Sequence, residues 1–181
     1  MWLGAAGCLL GGLVADRLVR RTGNPDRVRR RLCSLSLVLA GVSWLAAVYA
    51  PNVHCFALAV SLAAFFNDLT MPSAWAVCQT IGGRFAGVAA ACMNTIGTIG
   101  SAVAIWLTGM LVERWLTGRA MALGVAADQL PASEKHAAAL AGYNWGLITY
   151  AAAYLLAAAC WWWWIDPTRT IIAPTTPAEP E

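Results

Sequence analysis

Apolar positions run almost unbroken through five stretches, at 1–15, 32–50, 53–80, 88–112 and 143–165, and the polar residues collect between them. A run of about 20 apolar residues is what a helix needs to cross a bilayer core about 30 Å thick. This pattern predicts an all-α membrane protein with five transmembrane helices. The first stretch, which ends at Asp16-Arg17, is too short to cross unaided. Signal sequences carry their basic residues before the apolar run, and here the arginines follow it, so 1–15 reads instead as the last two thirds of a helix.

The segment 16–31 holds seven arginines around a Gly-Asn-Pro turn, and 113–142 is a mixed polar segment expected to form a loop. A basic run can bind nucleic acid, but one flanked by apolar spans is the mark of a cytoplasmic loop under the positive-inside rule. With 16–31 inside, alternation of the spans also puts Arg84 and Arg169 inside, which gives nine basic residues there against Arg114, Arg119 and Lys135 outside. The C-terminal segment 166–181, rich in proline, then becomes a disordered cytoplasmic tail. Trp161–Trp164 close the last span where an interfacial aromatic belt belongs, a better reading than a ligand cage.

Composition supports the same solvent. Of the 181 residues 60% are hydrophobic and 12% charged, where an ordinary soluble chain carries roughly a quarter charged residues. The six cysteines form no CxxC pair and lie mostly in apolar stretches, so they are expected to be buried small hydrophobes. His54 and His136 are isolated. No metal site, cofactor motif or convergent nucleophile is apparent, so an enzyme is not expected.

Asp68 carries the most information, because an ionisable group in mid-span costs at least about 2.5 kcal/mol unless it meets a partner or a watered cavity. On a continuous helix Asp68, Pro72, Trp75 and Gln79 recur at i, i+4, i+7 and i+11 and share one face. The alternative is a structural pairing with a basic residue in a helix not present in these 181 residues. In the fourth span Asn94, Thr98 and Ser101 make a polar stripe beside Gly97, Gly100 and Ala104, a pattern that also serves helix packing.

Two segments carry a family resemblance. Residues 12–21, GLVADRLVRR, resemble the G-x-x-x-D-R-x-x-R-R loop signature of the major facilitator superfamily, with Val19 where a glycine is usual. Residues 67–75, NDLTMPSAW, continuing through IGGRFAG at 81–87 to MNTIG at 93–97, resemble the tenth and eleventh helices of its anion:cation symporter branch. The resemblance implies that residues 1–165 form part of a C-terminal six-helix half, equivalent to helices eight to twelve of a twelve-helix fold. It implies transport of an organic anion, a sugar acid by preference, by proton- or sodium-coupled alternating access across a bacterial inner membrane. Its partners would be the anion, a coupling cation, membrane lipid and the missing N-terminal half. Substrate contacts are then expected at Trp75 and Asn94, with Asn67 and Asp68 nearby, and a conformational-switch loop at Gly12, Asp16, Arg17, Arg20 and Arg21. The competing reading is a small membrane protein that binds partners or lipid through its basic loop.

Overall fold

The structure is a computed structural model that describes residues 2–164. Arg169 and the expected cytoplasmic tail 166–181 lie outside the described residues. Six α-helices follow one another: α1 (Trp2–Thr22), α2 (Pro25–Val48), α3 (Val53–Leu69), α4 (Met71–Gly82), α5 (Ala86–Leu123) and α6 (Ala132–Trp163). Short 3-10 turns at Gly83–Phe85 and Ala127–Gln129 complete the described residues.

Local chemistry sets the helix ends. Gly23 closes α1 at φ 64°, donating its N–H to the Val19 carbonyl at 2.8 Å, a left-handed position that glycine adopts without steric cost. Asn24 then caps α2, its side chain accepting the Arg27 N–H at 3.0 Å, with Pro25 at the first helical position. Asn52 caps α3 through the Cys55 N–H in the same way, and Gly124 at φ 66° ends α5.

These ends correct two expectations. The arginine segment 16–31 is no loop: α1 runs on through Arg20 and Arg21, α2 begins at Pro25, and only Gly23 and Asn24 lie between. Arginine is a good helix former, and the pattern of charge had masked that. Likewise most of 113–142 is helical, in extensions of α5 and α6. By rise per residue, α5 is about 57 Å long and α6 about 48 Å, both longer than a bilayer core. The cysteines are a third correction. Cys33 is buried, but Cys8, Cys55 and Cys92 are exposed and Cys78 and Cys160 are half-buried.

By length and composition, four helical stretches suffice to cross a membrane: Trp2–Thr22, Pro25–Val48, Val53–Leu123 and Ala132–Trp163. The third folds back on itself, because α4 packs against α5 and the Cys78 and Met93 sulfurs meet at 3.5 Å. α2 is the most enclosed helix, held between α3 and α6, while α1 packs on α3 and α5 on α6.

Small residues make these contacts close. Gly4, Gly7, Gly11 and Ala15 form the buried stripe of α1. A Cβ on Gly7 would collide with the Phe65 carbonyl oxygen, and one on Gly11 with that of Leu69. A Cβ on Gly142 of α6 would stand 2.5 Å from the Val112 Cα, and Gly41 of α2 lies against the Ala151 carbonyl. Lipid tails offer no hydrophobic drive between helices, so close backbone approach supplies the attraction. Accordingly Gly11→Val should cost about 1–3 kcal/mol through overpacking. Gly97→Val, where nothing stands within 4 Å of the added Cβ, should leave thermal unfolding of the detergent-solubilised chain nearly unchanged.

Candidate functional site

The helix that carries Asp68 is broken beside it. α3 ends at Leu69 and α4 starts at Met71, with Thr70 between them. Pro72 has no N–H to return to the Asp68 carbonyl four residues back, and its ring crowds that carbonyl. Thr70 compensates locally, its hydroxyl donating to the Asn67 carbonyl at 2.7 Å and its N–H to the same oxygen at 3.1 Å.

Just before the break, Asn67 and Asp68 form a half-buried polar cluster. The Asn67 side-chain N–H donates to Asp68 Oδ1 at 3.0 Å, and the Tyr154 hydroxyl of α6 donates to Asn67 Oδ1 at 3.1 Å. The second carboxylate oxygen, Oδ2, lies against Gly4 of α1, where any Cβ would displace it. Three helices therefore meet on two adjacent residues. Asp68 has no ion-pair partner among the described residues. The Asn67 amide is committed in both directions, giving N–H to the carboxylate and taking O–H from the tyrosine.

A second polar contact lies along α6. Tyr150 and Thr108 share a hydrogen bond at 2.7 Å, Tyr150 also reaches the Ala104 carbonyl at 3.3 Å, and its ring stands edge-on to Trp44 of α2 at 5.4 Å. Ser34 of α2 donates to the Ala158 carbonyl at 3.0 Å. These bonds tie α2 and α5 to α6, whose Tyr154 is bonded to Asn67.

The one-face alignment of Asp68, Pro72, Trp75 and Gln79 is interrupted at Thr70. Asp68 and Pro72 face α1, Pro72 lying 3.8 Å from where a Cβ on Gly12 would be, whereas Trp75 and Gln79 are exposed. Asn94 is exposed on α5, and neither it nor Trp75 hydrogen-bonds to Asn67 or Asp68. The structure thus brings Asn67 and Asp68 together and leaves Trp75 and Asn94 on open faces of the antiparallel pair α4 and α5. Beside Asn94, the Thr98 and Ser101 hydroxyls donate back to carbonyls of their own helix, at 2.9 and 3.0 Å. A Cβ added to Gly97 or Gly100 would meet nothing within 4 Å, so this stripe packs no helix among the described residues.

The expected switch residues sit on a helix, not on a loop. Gly12 is half-buried against Pro72, while Asp16, Arg17, Arg20 and Arg21 are exposed along the last turns of α1. Asp16 makes no hydrogen bond or ion pair among the described residues.

Tyr154 was missed by the sequence reading. Its signal was present in Tyr150 and Tyr154, two phenols one helical turn apart in an apolar span, each needing a partner when buried.

No family model and no solved structure matches the chain. A curated protein of Cupriavidus necator, described as "Probable sulfoacetate transporter SauU", is 30% identical over 111 residues, which cover 61% of this chain and 26% of that protein. The matched region thus spans about a quarter of the relative's length. The relative is named as a transporter, and the long apolar helices here are those of an integral membrane protein.

The cluster makes a quantitative expectation. Tyr154→Phe should cost about 0.5–1.5 kcal/mol, the usual net worth of one hydrogen bond. A double-mutant cycle with Asn67→Leu, read by denaturant unfolding in mixed micelles, should show coupling of similar size; independent effects would mean that the bond contributes nothing.

Proposed function

We propose that this chain is part of the C-terminal half of a secondary transporter that moves a small organic anion by alternating access, coupled to protons or sodium. The observation that supports it is the 111-residue similarity to a protein named for sulfoacetate transport. Substrates of this kind are a sugar acid or a comparable carboxylate or sulfonate. In this reading α1, α2, α3 with α4, α5 and α6 make five crossings of a bacterial inner membrane, with the basic ends of α1 and α2 on the cytoplasmic side.

The residues divide the work by position. Trp75 and Asn94 stand on open faces of α4 and α5, where an aromatic plane can lie against the carbon skeleton of the anion and an amide can donate to its oxygens. Asn67 and Asp68 lie on the other side of the break at Thr70, where a carboxylate held by one amide N–H is suited to gain and lose a cation. Ionisable groups within spans mark such pathways. Gly12, Asp16, Arg17, Arg20 and Arg21 end the helix that presses on Asp68 and Pro72, so a change of partner at that end would tilt α1 against both. The two halves of such a transporter rock around a site at mid-membrane depth.

Proteoliposomes holding these 181 residues alone should show no uptake, whereas the chain joined to a complementary half should take up a labelled organic anion. In that assembly Asp68→Asn should abolish uptake or remove its pH dependence while insertion is preserved. Trp75→Ala should raise KM about threefold to tenfold, the worth of one aromatic contact. Normal pH-dependent uptake by the Asp68 variant would reduce that residue to a structural part, and equal losses of expression and affinity at Trp75 would point to packing.

A further inference from the structure

The hairpin end of α5 and α6 encloses a groove of about 690 Å³, whose lining includes Leu111, Arg114, Gly118 and Arg119 from α5 and Ala138 and Trp145 from α6. Its charged groups are unevenly engaged. Arg119 Nε donates to Glu134 Oε2 at 2.7 Å in an ion pair that closes the far end of the groove. Arg114 is exposed and makes no hydrogen bond or ion pair among the described residues. The groove therefore has one cation to spare.

Helix register gives its depth in the membrane. Trp145 and Trp163 are 18 residues apart on α6, about 27 Å of rise, close to the thickness of a hydrocarbon core. With the tryptophans at Trp161–Trp164 at one interface, Trp145 stands at the other. On the facing helix, Thr108 lies against Gly146 and Val112 against Gly142. Arg114 is six residues beyond Thr108 and Arg119 eleven, about 9 Å and about 17 Å further from the membrane centre. The groove thus runs from apolar walls at the edge of the core, through an unpaired guanidinium at headgroup depth, to an ion pair in water. Gly118 and Ala138 keep its walls small.

We propose that this groove is a binding site for an anionic phospholipid of the adjacent leaflet, with the phosphate on Arg114 and the upper acyl chain along Leu111 and Trp145. A guanidinium matches a phosphate in charge and geometry, and a basic pocket between membrane helices is suited to a lipid headgroup. A free small anion would use only the arginine. The apolar lower walls fit a ligand that carries both a phosphate and a hydrocarbon chain. The site lies apart from Asp68, Trp75 and Asn94, and its occupancy does not depend on transport.

The test places the full 181-residue chain in phosphatidylcholine nanodiscs with a rising share of phosphatidylglycerol and counts the lipid retained on release into a mass spectrometer. The chain should retain phosphatidylglycerol in preference to phosphatidylcholine. Arg114→Gln should weaken this retention about fivefold, the factor that one cationic side chain near an anionic surface contributes. Gly118→Leu keeps both arginines and fills the groove where an added Cβ meets nothing within 4 Å, so it should lose the same lipid. Arg84→Gln, on an exposed arginine outside the groove, should not. Retention unchanged by Arg114→Gln and Gly118→Leu, equal loss with Arg84→Gln, equal retention of both lipids, or displacement by glycerol phosphate would each overturn the proposal.

Discussion

Backbone contact between α1 and α3 is the constraint on which the candidate site depends. Gly4, Gly7 and Gly11 present α1 to α3 with no side chain between, so the carbonyls of Phe65 and Leu69 and the carboxylate of Asp68 lie directly on its surface. In lipid this closeness is itself the attraction, because dispersion falls steeply with a gap of a few tenths of an ångström. It also limits what can surround Asp68. With α1 seated on one side and the Asn67 amide on the other, the carboxylate is left with one hydrogen bond and a glycine. A displacement of α1 that would be harmless at an ordinary apolar contact therefore changes the surroundings of an ionisable group.

Hydrogen-bond satisfaction shapes the other side of the cluster. A break in a membrane helix exposes backbone groups that lipid cannot serve, so neighbouring side chains must do so. Here Thr70 covers the Asn67 carbonyl, while the Asn67 side chain is turned outward to link Asp68 with Tyr154. The link brings in α6, which is in turn fastened to α2 through Ser34 and to α5 through Thr108. A rigid polar scaffold thus stands behind a break that by itself would be soft.

Much of this was legible in the sequence, and what was not has a physical reason. The apolar runs marked an all-helical chain compatible with a membrane, and Asp68 and Pro72 marked a special position before any contact was known. Helix ends in the charged segments were not legible: hydropathy changes at Asp16 and Glu113, but helix formation does not, since arginine, glutamate and alanine continue a helix as well as leucine does. The face shared by Asp68 and Trp75 failed for a related reason, as a periodic projection assumes a straight helix and Pro72 interrupts it. Tyr154 lies 87 residues from Asn67, and only the fold joins them. The glycine stripe of α1 was in plain view, yet small residues at that spacing also occur at Gly97 and Gly100, where they contact nothing. Composition alone does not separate the two.

The break at Thr70 gives the proposed transport reading its mechanical logic. Asp68 and Trp75 are seven residues apart in sequence, but one looks toward α1 and Tyr154 and the other toward open space, across a joint with a missing hydrogen bond. A straight helix would move both together and keep the proposed cation and anion sites in fixed relation. A hinged pair lets α4 reorient while α3 stays anchored through Asn67 to α6. In the proposed reading a cation gained or lost at Asp68 would act at this anchor, on the carboxyl group that accepts the Asn67 N–H. The joint at Thr70 is then what would carry the change to the exposed face that bears Trp75.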